Sequence, residues 1–315
     1  MGCAARHAAT RTDVPEPAVS PAQHVVPAGR LVPLAGQPEG MVVAEGSDTL
    51  AVGVRQPDGV ALVSLPSGRI DRRVPLGGAP RHLQLAGPAG PLLVPAEGSD
   101  TLVELALPSG SVEASIEVGR QPHDAAATAG HVLVGNELAD TVSVIAGGAV
   151  RATVPAPRQP GGVAASLDGS VALVVGVRAR QVEAYRADGS SLGRAACGVG
   201  PTHVRAGPGG RFYVADTEGD QILVFEVTEH GPVQVGRVHT GGTPYGLAVD
   251  AARDVLYVTL TATNQLRSFH IEGRALRAGR TWPTPRQPND VAVDPSSGQV
   301  VVAGTAGGVL QLIEP

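Results

Sequence analysis

Nine histidines occur in this 315-residue chain, and three of them stand at matching places. His82 and His203 each lie two residues after a proline, as do Asp124 and Asp290, and His123 lies one residue after one. Imidazole and carboxylate side chains brought together suit a divalent ion of the Zn, Mn or Mg kind. Such an ion polarises a lactone or ester carbonyl, or orients a base for elimination. His82, His203, Asp124 and Asp290, with His123 beside them, are the candidate metal ligands. Arg81, His123, Tyr245 and Asn289, each one residue after its own proline, join those four as candidate ligand-binding residues. The same residue types also cap strand ends by bonding to backbone groups or channel water, as Asp and Asn do at corners. The sequence leaves both readings open. The remaining histidines (His7, His24, His131, His230, His239, His270) are scattered and read as surface or strand residues. No nucleophile elbow, phosphate loop or HExxH motif is present.

The elements that must position these residues come from a repeat. Pro38, Pro80, Pro122, Pro160, Pro201, Pro244 and Pro288 follow one another at intervals of 38 to 44 residues. Apolar residues fall three and five positions after each proline, as in Met41 and Val43 or Leu247 and Val249. That alternation is a strand with one buried face, and proline suits its first position. A near-continuous apolar run follows in each unit (50–54, 92–95, 131–136, 171–176, 212–216, 256–260, 300–304), then a third strand and a more polar fourth. A period in the low forties with four strands per unit predicts an all-β fold, a seven-bladed β-propeller of four-stranded blades. The seventh unit lacks a fourth strand, and residues 29–38 (GRLVPLAGQP) look like the end of any other unit. The expected closure takes that N-terminal strand into the last blade, which removes exposed sheet edges. The repeated heptapeptide AEGSDTL (44–50 and 96–102) falls in different hairpins and reads as reused turn residues.

In a propeller the corner after each proline leads into the innermost strand, so the residues next to it crowd one mouth of the central channel. Loops after the second strand reach the same face and offer Arg55, Glu97, Asn136, Glu137, Arg178, Asp216 and Glu218.

Composition narrows the classes. Net charge is −5 and aromatics make up 3% of residues, so neither the basic patch nor the stacking rings of nucleic-acid binders are present. No run approaches the ~20 apolar residues of a membrane helix. Residues 1–23, rich in Ala and Pro, read as a disordered tether, with one propeller domain over 24–315. Gly2-Cys3-Ala4-Ala5 looks like the cleavage end of a bacterial lipoprotein signal whose apolar segment would lie upstream. A lipid on Cys3 would then be the membrane link, and otherwise the expectation is cytoplasmic. Cys197 is expected to be a small buried residue.

The segments ADTVSVI (139–145), FYVADTEGDQILVF (212–225) and PYGLAVDAARDVLYVTLTATNQL (244–266) resemble the YVTN-type seven-bladed propellers. The resemblance runs from about residue 25 to 315, with Leu260 where the signature strand usually carries Asn. It implies an exported bacterial protein, looser kinship to lactonase and virginiamycin B lyase propellers, and no settled activity. The expectation is thus a monomeric extracytoplasmic module that binds a small molecule or a protein at the channel mouth. Its alternative is a metal-assisted lactonase or lyase in that mouth. No cofactor is required beyond a possible divalent ion.

Overall fold

The computed structural model describes residues 14–315. Seven antiparallel sheets of four strands form a ring. The innermost strands are Gln37–Ala44, Gln84–Leu85, Pro122–Thr128, Pro160–Ala165, Pro201–Gly207, Pro244–Asp250 and Pro288–Val293, which define blades 1 to 7. Each touches the next around the channel, and that of blade 7 returns to that of blade 1.

The hydrophobic core is divided. Seven clusters of buried residues lie one at each blade–blade interface. The residues three after each proline (Met41, Leu83, Ala125, Val163, Val204, Leu247, Val291) are all buried, and anchor the inner strands into these slabs. The residues five after are buried less completely.

Blade 7 takes its outer strand from the N-terminus. Arg30–Pro33 runs antiparallel to Val309–Ile313, with Arg30 opposite Leu312 and Pro33 opposite Val309. Val32 and Leu34 enter the slab between blades 7 and 1. Removing residues 24–35 deletes this ladder and two buried aliphatic side chains, a loss of about 3–6 kcal/mol before the bared edge is counted. Thermal unfolding of that deletion is expected to begin well below the full chain; equal melting would contradict closure by this strand.

Candidate functional site

Six of the seven inner strands carry a register break just after the proline. The shift falls between Pro38 and Met41, Pro122 and Asp124, Pro160 and Val163, Pro201 and Val204, Pro244 and Leu247, and Pro288 and Asp290. A bulge of this kind re-aims side chains at the end of a ladder. In blade 2 the distortion is larger, and regular pairing is confined to Gln84–Leu85. His82 N–H donates sideways to the His123 carbonyl of blade 3 at 3.2 Å, and Gly40 N–H of blade 1 donates to the Arg81 carbonyl at 3.0 Å.

Three imidazoles meet at these corners. His82 and His203 stack edge-on with ring centres 4.4 Å apart, and His82 and His123 lie 5.0 Å apart. One nitrogen of each lies within 4.8 Å of the others. All three residues are buried. His203 Nδ1 sits 3.0 Å from the Tyr245 carbonyl, which fixes it as a donor and leaves Nε2 with the lone pair. His123 Nδ1 lies 2.9 Å from Glu137 and 3.4 Å from Glu97. Among the described residues His82 has no partner on either ring nitrogen.

Their electrostatics divide. Burial drives the His82 and His203 imidazoles well below their ordinary range, and the neighbouring cationic groups add to this, so both are neutral. Burial also works against charge on His123, but its hydrogen bonds to the Glu137 and Glu97 carboxylates outweigh it and raise the group. Glu137 in turn is held down to about 2, its own burial overcome by His123, Gln159 and Arg81. Gln121 and Gln159, the glutamines of two Arg-Gln-Pro corners, donate to its carboxylate at 3.2 and 2.6 Å. Arg55 pairs with Glu97 at 2.6 Å, and Arg81 stands 3.8 Å from it.

Close approach of the blades depends on glycine at the neighbouring corners. A Cβ on Gly40 would stand 2.4 Å from the Arg81 carbonyl and 2.6 Å from His82 Cα. One on Gly162 would meet Val204 N at 2.9 Å and His203 Cα at 3.0 Å. Gly40 and Gly162 thus leave the space in which the backbones of His82 and His203 sit.

Asp124 and Asp290 lie apart from the three ring nitrogens and belong to neither group of clustered ligand atoms among the described residues. Each staples the next blade. Asp124 accepts from Val163 N–H at 3.0 Å and from Gln84 at 2.8 Å, with Arg205 at 3.7 Å. Asp290 accepts from Met41 N–H at 2.7 Å. Burial raises both carboxyls against the pull of Arg205, Asp290 to about 7. Gln84 and Arg205 stand two residues beyond His82 and His203, so the period of two turns them into the same channel. Below them the channel opens into a cleft of about 260 Å³ whose other walls include Val42, Ala248 and Ala292.

The upper mouth is covered. Residues 14–23, assigned to the tether by composition, form no regular element but lie across it. Ser20 is buried; its N–H donates to Gln287 Oε1 at 3.1 Å and its hydroxyl to the Thr261 carbonyl at 2.7 Å. Gln287 returns a side-chain bond to the Ala18 carbonyl at 2.9 Å, and holds Asn289 at 3.1 Å. Further along, Pro15 is buried and Val14 packs on the slab between blades 4 and 5. A cavity of about 20 Å³ remains beneath this strap, bounded by Pro15, Glu16, Arg81, His123, Glu137, Thr202, His203 and Tyr245. That is room for about one water. Cys3 lies outside the described residues, and Cys197 is a buried free thiol.

Sequence spacing located Arg81, His82, His123, His203 and Tyr245 at one mouth, and flagged Glu97 and Glu137 as loop residues on that face. It missed Gln121, Gln159 and Gln287, although the Arg-Gln-Pro triplets were the available signal, and it missed the strap.

No protein-family model matches this chain, and a search of curated protein sequences finds no match. Solved structures do. Hydrazine synthase from Kuenenia stuttgartiensis aligns over 99% of this chain and 99% of its own, at 15% identity and a TM-score of 0.75. Virginiamycin B lyase from Staphylococcus aureus aligns over 91% of this chain and 99% of its own, at 12% identity and 0.75. The Cps50 (Swd1) β-propeller domain of Myceliophteria thermophila covers 91% and 100%, at 12% identity and 0.76. At such identities the likeness is one of fold, the seven-bladed propeller, shared by proteins with unrelated roles.

Two outcomes follow from this geometry. Gly40→Ala forces a methyl into the Arg81–His82 backbone and is expected to lower stability by about 1–3 kcal/mol, read by denaturant midpoint. Asp290 gives a pH signature. Its carboxyl is raised from 3.8 to about 7 on folding, so the folded state retains a proton the unfolded chain has released. Its contribution therefore falls as pH rises from about 4 to about 7, by on the order of 4 kcal/mol at most, and is level above. Asp290→Asn is expected to gain on the wild type between pH 5 and pH 8; an unchanged difference would mean Asp290 is ionised throughout.

Proposed function

We propose that this chain is an extracytoplasmic binding module of the YVTN-type repeat family, acting as a monomer through the upper mouth of its channel. The observation that carries the reading is the strap. The mouth already holds an extended segment of its own chain by hydrogen bonds to Ala18, Ser20 and Pro21 backbone groups, laid over buried charged and imidazole side chains. A surface built to accept an extended polar segment over a small polar cavity suits a small-molecule or protein ligand that takes the strap's place. The family resemblance and the Gly2-Cys3-Ala4-Ala5 segment support export and a lipid on Cys3.

A second reading, metal-assisted lactonase or lyase chemistry in the same mouth, is favoured by the three convergent imidazoles, and the likeness of fold to virginiamycin B lyase is compatible with it. The double variant His82→Ala/His203→Ala separates the two. Loss of an observed turnover at unchanged melting temperature favours chemistry; retained ligand binding with no turnover to lose favours the module.

Competition with the strap is testable by thermal shift against lactones, cyclic esters and short proline-containing peptides. Ligands of the mouth are expected to bind a chain starting at residue 24 roughly tenfold more tightly than the full chain, since no strap has to be displaced. They are expected to lose affinity on Arg81→Ala. Ligands indifferent to both changes would place the binding surface elsewhere.

A further inference from the structure

The histidines His82, His123 and His203 come from three different blades, and nothing in the fold requires imidazoles to meet there. A neutral imidazole carries one donor and one acceptor, and buried polar groups are rarely left without partners. His82 is 5% exposed, and both its ring nitrogens are unpaired among the described residues. Its environment offers it two further imidazoles, each with its Nδ1 already engaged, by the Tyr245 carbonyl in one and by Glu137 in the other. That engagement leaves the Nε2 atoms of His123 and His203 free to share a partner with His82. A partner shared by the lone pairs of all three rings would be an electron-pair acceptor.

We propose that His82, His123 and His203 form a three-nitrogen site for a borderline transition-metal dication of the zinc class. The spacing fits. A zinc–nitrogen bond of about 2.0–2.1 Å puts each ring centre about 3.2 Å from the metal, so tetrahedral pairs of rings stand about 5 Å apart. The observed separations from His82 are 5.0 and 4.4 Å. The ligand nitrogens, within 4.8 Å of one another, close to the roughly 3.4 Å of a tetrahedral set by small side-chain rotations. An all-imidazole set selects Zn, Co, Ni or Cu over Mg and Ca, which prefer oxygen. Glu137 on His123 Nδ1 and the Tyr245 carbonyl on His203 Nδ1 are the outer partners that fix ring orientation in such sites. Gln121 and Gln159 hold Glu137 in turn, so it is a positioning residue. Two of the three rings, His123 and His203, border the cavity under the strap, so the fourth coordination position opens there.

This inference rests on the upper mouth being the functional face, but its readouts need no organic ligand. The experiment uses the full, untagged chain, stripped with chelator and titrated with Co(II) and then Zn(II). One equivalent of Co(II) is expected to give the intense visible absorption of a tetrahedral ion, and one equivalent of Zn(II) to displace it. Zn(II) at a hundredfold over its dissociation constant is expected to raise the melting temperature of the wild type. His82→Ala and His203→Ala are expected to abolish the absorption. Glu137→Gln is expected to retain it with affinity weakened about 10–100-fold, which also guards against a variant that merely misfolds. No Co(II) absorption and no Zn-dependent melting shift in the wild type would overturn the proposal, as would His82→Ala binding with wild-type affinity. A metal-free result would leave the strap-competition assay, and the binding reading, standing on their own outcome.

Discussion

Arg30–Pro33 pairs with Val309–Ile313, and a ring of seven blades has that one place where its two ends must be joined. Because the core is split into seven slabs, every interface depends on both neighbours, and the slab between blades 7 and 1 is filled from both ends of the chain. The histidine cluster draws on blades 2, 3 and 5, whose separation is set by closure of the whole circle. The strap runs directly into the closing strand, so the segment that covers the mouth and the segment that shuts the ring are one stretch of chain.

The channel is layered by chemistry. At the top stand Arg81, Glu97 and Glu137 around His123, a cluster in which hydrogen bonds to the carboxylates favour a positive charge on the ring against its burial. Next come His82 and His203, kept neutral by burial. Below them Asp124, Asp290, Gln84 and Arg205 bond to backbone and to one another, and serve to join blades. Buried charge is costly unless paired. The third layer meets that cost with backbone N–H groups and the first with ion pairs. The second layer carries no charge; His203 donates to the Tyr245 carbonyl, and His82 alone of the two rings has no partner among the described residues.

The fold was readable because a propeller repeats: seven prolines, seven buried residues three places on, and seven apolar second strands all report the same unit. The face of the site was readable for the same reason, since equivalent positions must share a mouth. Which polar residues would meet was not readable. His82 and Asp124 occupy equivalent positions, yet one faces two imidazoles and the other a backbone N–H. That difference comes from the sideways hydrogen bond of blade 2 to His123 and from the glycines at positions 40 and 162, features that depend on neighbours rather than on the repeat. Residues 14–23 lack periodicity because they follow an irregular surface, and a composition reading takes such a segment for a tether.

The account turns on what His82 binds. A crystal of the untagged protein grown with zinc, with anomalous diffraction collected at the zinc edge, decides it directly. One peak within about 2 Å of ring nitrogens of His82, His123 and His203 is the predicted result. Anomalous density elsewhere, or a His82 ring hydrogen-bonded to ordered water with no metal beside it, would contradict the account and make the imidazoles a structural seam between blades.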